Sequence, residues 1–211
     1  DITYAEQGVL GISGRDELGK AEFVRTLFDQ MVQIGAKIYI MDDVMGNLEY
    51  TKENQQTELY SREVADLEEI LEELHKRMEE RYKKVVQSGM SFVKDEIPYV
   101  FLIQNNDVFV KMQEDNKLLE LYKELLGKYS GLKFMILYTN LDNAKIAFTA
   151  PKALQMLQDK KQFLIFEDIS GIKLTDVTAV QKKNYSKSLE NDEAYFIQEN
   201  QVKKLKLIRE M

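Results

Sequence analysis

Residues 14–21 read GRDELGKA and follow the spacing G-x-x-x-x-G-K-[ST] at seven of its eight positions. That spacing serves phosphate. The two glycines let backbone N–H groups close around an anion, a following helix adds its positive end, and the lysine reaches the β and γ oxygens of a triphosphate. Gly14, Gly19 and Lys20 keep these parts, while Ala21 stands where a hydroxyl would ligate Mg²⁺. A methyl group cannot coordinate a metal. The free positions are Arg15, Asp16, Glu17 and Leu18, so two carboxylates lie where phosphate charge would sit. Like charges roughly 4 Å apart repel by about 4 kcal/mol at an effective dielectric of about 20.

A working phosphate-transfer site also needs an acidic pair, one carboxylate to orient the metal and one to activate water. The apolar run YVFLI (residues 99–103) has the character of the strand that would present it, yet Gln104 and Asn105 follow. Amides hydrogen-bond but cannot act as an anionic metal partner or a general base near neutrality. Asp107 lies three residues beyond Gln104, too far along to replace it. With Ala21, three catalytic parts are missing together, which predicts a decayed site with no catalytic residue. His75 is the sole histidine and the chain has no cysteine, so no metal ligand set is expected. His75 reads as an ordinary helix-surface residue.

The elements that would position these residues follow from hydropathy spacing. GVLGIS (8–13) reads as a buried strand, GRDELGK as a turn, and Ala21, Val24, Leu27, Phe28 and Met31 as one face of a helix ending near Gly35. AKIYIM (36–41) is a second strand with Asp42 and Asp43 at its carboxyl end, and residues 46–57 read as a polar surface loop. Residues 61–88 carry a long helical stripe from Val64 to Val85. After YVFLI, Leu118, Leu121, Tyr122, Leu125 and Tyr129 mark a helix closed by Gly131. Strands follow at 132–138 and 145–149, a short helix at 151–158 and a strand at 162–166. Residues 178–192 read as irregular, and 195–197 with 202–208 as a hairpin. Nearly continuous apolar strands alternating with helices predict a mostly parallel sheet covered on both faces.

Composition narrows the function classes. The chain has 211 residues, 44% of them hydrophobic and 31% charged, with no apolar run near the roughly 20 residues that span a bilayer. Its 29 basic against 36 acidic residues give a net charge of −7, which disfavours nucleic acid as a partner because phosphate contacts need Lys and Arg.

The order of these segments resembles the motor domain of FtsK/SpoIIIE-type ATPases over most of the chain. IYIMDDVMGNLEY (38–50) resembles that family's second strand, with Asp42 at its Asp position and Asp43-Val44 in place of Pro-Lys. HKRMEERYKKVVQSGMSF (75–92) resembles its Met-Glu-x-Arg-Tyr helix, the most specific match, and IPYVFLIQNND falls where the family has Pro-Tyr, a strand and Asp-Glu. KFMILYTN resembles its sensor strand, keeping Thr139 and putting Asn140 for Gln, and KIAFTAPKA resembles its Arg-Ile-Ala-Phe strand with Lys145 at the Arg. The family's Ser-Arg segment is not recognisable in LQMLQDKKQF.

Loss of catalytic residues with retention of fold is similar to the C-terminal ATPase domain of type VII secretion ATPases of the EssC kind. That resemblance implies a RecA-like P-loop α/β domain of three layers with a C-terminal β-hairpin, residues 1–211 forming a single domain of a larger multidomain chain. It implies a cytoplasmic domain of a cell-membrane protein, with upstream ATPase domains and secreted WXG100 (Esx-type) proteins as partners, a homo-hexamer in the full assembly, and no nucleic acid. It further implies recognition of secreted substrate or regulation of neighbouring motor domains without hydrolysis. The alternative is a domain that retains ATP as a structural or regulatory ligand on residues 14–21. An active DNA translocase ranks below both. The cofactor expectation is therefore none, or weakly bound ATP, with Gln104 and Asn105 as degenerate counterparts of the acidic pair.

Overall fold

A computed structural model of the chain describes residues 8–141, 150–160, 162–169, 178–185, 189–191, 193–199 and 201–206. Its strands are the apolar runs. β1 (Val9–Gly14) is buried along its whole length, and so are β5 (Phe134–Tyr138) and β6 (Gln162–Phe166). β2 (Lys37–Met41) and β4 (Tyr99–Ile103) leave only their first residue partly open. A strand that is apolar at every position needs cover on both faces. β3 (Thr57–Ser61), β7 (Glu193–Gln198) and β8 (Gln201–Lys206) complete an eight-stranded sheet of order β3-β2-β4-β5-β1-β6-β7-β8 among the described residues. Neighbours from β3 to β6 run parallel, whereas β6, β7 and β8 pair antiparallel.

Successive strand residues point to opposite faces and feed two cores. On one face Leu10, Ile12, Ile38, Ile40, Val100 and Leu102 meet Val24, Leu27, Phe28 and Met31 of α1 (Lys20–Gln33). Each such side chain contributes roughly 1.5–3 kcal/mol on burial. On the other face Met41, Phe101, Ile103, Phe134 and Ile136 meet α2 (Leu67–Ser88), α3 (Asp107–Glu114), α4 (Asn116–Leu126) and α5 (Lys152–Gln158). The result is a three-layer, RecA-like α/β domain closed by the β7–β8 hairpin, the expected fold class.

Several local expectations need correction. The segment read as a loop over 46–57 holds a 3-10 turn at Glu49–Thr51 and runs into β3, so the long helix starts at Leu67 rather than residue 61. β3 is an edge strand with only Ser61 fully buried, and it lacks the apolar run that marked its neighbours. The helix expected to close at Gly131 stops at Leu126, with Gly127 at its cap, and α3 precedes it unannounced. Within the stretch read as irregular, α6 (Ala179–Asn184) is capped by Thr178 through a reciprocal bond with Gln181, and it buries no residue. The strand expected at 145–149, with Lys145, lies outside the described residues.

Strand register aligns the rim where chemistry would happen. Met41, Ile103 and Tyr138 lie side by side at the carboxyl ends of β2, β4 and β5. The next residues, Asp42, Gln104 and Thr139, therefore form a row. β1 pairs with β5 at Gly11–Tyr138 and continues three residues further, lifting the glycine loop over that row.

Candidate functional site

The glycine loop is built as its spacing requires. Gly14 has φ 118°, and a Cβ there would meet the Phe166 backbone at 2.6 Å, so no other residue fits. Gly19, at φ 96°, is the left-handed link into α1. Between them Asp16–Leu18 wind into a 3-10 turn. Leu18 N–H donates to the Arg15 carbonyl (3.1 Å) and Gly19 N–H to the Asp16 carbonyl (2.9 Å). Arg15 N–H donates to Phe166 O at 3.3 Å. Three loop N–H groups are thus satisfied by the chain itself. Lys20 opens α1 with its side chain 11% exposed, and its Nζ lies 3.6 Å from Asp16 Oδ1.

Across the rim the amides are locked. Thr139 Oγ1 donates to Gln104 Oε1, Gln104 Nε2 donates to Asp43 Oδ2 at 3.2 Å, and Asn140 Nδ2 donates to the Gln104 carbonyl at 3.0 Å. Both ends of the Gln104 side chain are engaged, joining the ends of β5, β4 and β2. Asn105 serves elsewhere: its Oδ1 accepts the Asp107 N–H (2.9 Å) at the start of α3, and Asp107 itself is exposed.

Asp42 organises the loop beyond β2. It is fully buried and accepts from Asp43 N–H (2.8 Å), Leu48 N–H (3.0 Å) and Tyr60 OH (2.6 Å). Burial raises its carboxyl above the usual range against these bonds, with Tyr60 the largest opposing contribution. Burial first, and the bond to Asp42 second, push the Tyr60 phenol up to about 12, so it stays a donor. The loop so held packs Leu48 into the core beneath α1. Tyr50 meets Phe28 edge-on and lies under the Arg25 guanidinium at 4.5 Å.

A cleft of about 490 Å³ opens between the glycine loop, α1 and residues 47–50, and also touches Gln104 and Thr139. It gathers Asp16, Lys20, Ala21 and Gln104 of the expected site residues. Gly14, Arg15, Glu17, Leu18 and Gly19 shape the loop beside it, and Asn105 is turned to α3. Arg25, Asn47, Leu48 and Tyr50 line the cleft without having been expected. Arg25 lies four residues after Ala21, on the same helix face, which was the available clue. Mg²⁺–ATP does not fit this arrangement. The metal hydroxyl is a methyl, the acidic pair is two bonded amides, and the lysine already faces a carboxylate.

No protein-family profile matches the chain, and no curated protein matches it. Solved structures do. EssC ATPases 2 and 3 from Geobacillus thermodenitrificans superpose with TM-score 0.73 at 16% identity, over 98% of this chain and 38% of theirs. EccC ATPases 2 and 3 from Thermomonospora curvata, in complex with a signal sequence peptide, give 0.62 at 15% identity, over 100% and 38%. The monomer form of the pCW3 conjugation coupling protein TcpA with ATPγS gives 0.66 at 13% identity, over 95% and 60%. This is the P-loop ATPase fold of the EssC and EccC domains. The resemblance read from the sequence is met at the level of fold, and the chain spans about two fifths of the EssC and EccC chains it matches.

The most specific sequence match has a structural role in that fold. Arg81, within Met78–Tyr82, is buried and donates to Leu132 O (2.6 Å) and Ile97 O (2.6 Å), and it pairs with Glu96 at 3.3 Å. It also lies over the Tyr99 ring at 5.0 Å. It fastens α2 to the segments that enter β4 and β5, at the end of the sheet opposite the cleft. His75 is likewise more than a surface residue. Its Nε2 lies 2.5 Å from Glu124 Oε2 and 3.1 Å from Tyr129 OH, bridging α2 to α4 and the turn after it.

Proposed function

We propose that this chain is a non-hydrolysing FtsK-like domain of a type VII protein secretion ATPase, acting in secreted-substrate recognition or in regulation of neighbouring motor domains. The observation that carries the first half is the Gln104 side chain, bonded at one end by Thr139 and at the other to Asp43. Where phosphoryl transfer needs a carboxylate to orient metal and another to activate water, the rim offers a neutral amide already in use. Ala21 removes the hydroxyl that would complete a metal shell.

The second half draws on the likeness to EccC, which was solved with a signal sequence peptide. In this reading the chain is one domain among several ATPase domains, and its partners are those domains and secreted WXG100-type proteins presented by their C-terminal signals. A homo-hexamer forms in the full assembly on the cytoplasmic face of the cell membrane. Among the described residues no helix is long and apolar enough to cross a membrane. ATP is at most a weakly held ligand and is not turned over.

Turnover separates this reading from an active motor. The purified chain with ATP and Mg²⁺ is expected to release phosphate no faster than buffer, and turnover abolished by Lys20→Ala would refute it. Titration with a peptide carrying the C-terminal signal of a secreted WXG100 protein tests docking. Saturable binding supports it, and none at millimolar peptide, with or without the upstream domains, removes the docking role.

A further inference from the structure

The glycine loop disagrees with nucleotide in one respect that missing catalytic groups do not explain. Ala21, Gln104 and Asn105 remove metal and water chemistry, but triphosphate binding by itself needs only the loop N–H groups, the helix N-terminus and Lys20. All of these persist in sequence, yet two of the loop N–H groups and the lysine face acceptors of the chain itself. The N–H groups of Leu18 and Gly19 turn back onto Arg15 and Asp16 carbonyls, closing a 3-10 turn. The Lys20 side chain, 11% exposed, faces the carboxylate of Asp16, which is 67% exposed and reaches in from the solvent side. Asp16 and Lys20 both line the cleft, so the anion beside the lysine is supplied by the loop itself.

We propose that Asp16 is a built-in anion that holds a nucleoside-triphosphate loop shut. Its carboxylate takes the place beside Lys20 that a terminal phosphate would take, and its negative charge turns incoming phosphate away. Withdrawal of that charge leaves a site for the triphosphate of a nucleotide that works without magnesium, because Ala21 stands where the metal-ligating hydroxyl would be. The inference rests on the P-loop fold and not on a role in secretion. A binding measurement therefore tests it, while turnover tests the proposed function.

Calorimetric titration with ATP in EDTA distinguishes the variants. Asp16→Asn keeps the shape and drops the charge, and it is expected to bind ATP at least tenfold more tightly than the unaltered chain, about 1.4 kcal/mol. Asp16→Glu keeps the charge and is expected to stay within twofold of the unaltered chain. Adding Lys20→Ala to Asp16→Asn is expected to erase the gain. Should the amide variant lose its far-UV circular dichroism, Asp16→Ser at the same exposed position takes its place. A gain below threefold, a gain matched by Asp16→Glu, or a gain that survives Lys20→Ala overturns the proposal.

Discussion

A single carboxylate decides the shape of the loop that walls the cleft. Asp42 is buried and holds two backbone N–H groups and one phenol, all of which lose their partner together if it is truncated. Buried donors left without acceptors each cost about 1–3 kcal/mol. Asp42→Ala is therefore expected to destabilise the domain by about 3 kcal/mol, read as a lowered denaturation midpoint. Amide exchange should accelerate first at Asp43 and Leu48; uniform acceleration across the sheet would contradict a local anchor. The sequence announced the type of each site residue but not its engagement. Ala21 and Gln104 are legible as departures from the phosphate-transfer pattern because that chemistry needs particular atoms there. That Gln104 is braced by Thr139 and Asp43, residues 35 and 61 positions away in the chain, depends on strand order, which hydropathy spacing does not encode.

Among the elements, α2 and α4 are joined by a polar latch as well as by their apolar stripes. Glu79 accepts from Lys128 (2.6 Å) and Tyr129 OH (2.7 Å), while Glu124 meets His75. The Lys128 bond first, and the Tyr129 bond next, hold the Glu79 carboxyl well down, to about 2. The His75 contact is the main cause lowering Glu124. A carboxyl depressed in the folded state lends stability above its unfolded value, and that stability fades as pH falls through the folded one. The latch should therefore weaken between about 4.5 and about 2. Glu79→Gln is expected to flatten the fall of the melting temperature across that window by lowering the neutral-pH value toward the acid one, the loss moderated by solvent screening of a side chain that is 26% exposed. An unchanged acid profile would assign the latch no energetic role. Strands β1, β2, β4 and β5 were readable because burial on both faces leaves a continuous apolar run. β3, half-exposed at the sheet edge, and α6, which buries nothing, leave no such imprint.

At the scale of the whole molecule, two cores share one sheet, and the net charge of −7 surrounds both. Binding to duplex DNA draws its strength from cations released by Lys and Arg contacts. Fluorescence anisotropy with labelled duplex is expected to show no binding even at about 50 mM salt, where such contacts are strong. Salt-sensitive binding would reopen the translocase reading. The rim carries a historical consequence. Where related motors are expected to have Pro, this chain has Asp43, and its carboxylate now accepts from the Gln104 amide. Restoring an aspartate at position 104 would set two anions against each other and remove the amide donor that Asp43 accepts in the same step. The substitutions have become each other's context. On the proposed reading, a carboxylate at position 104 must arrive together with a change at Asp43, so the two positions are tied to each other.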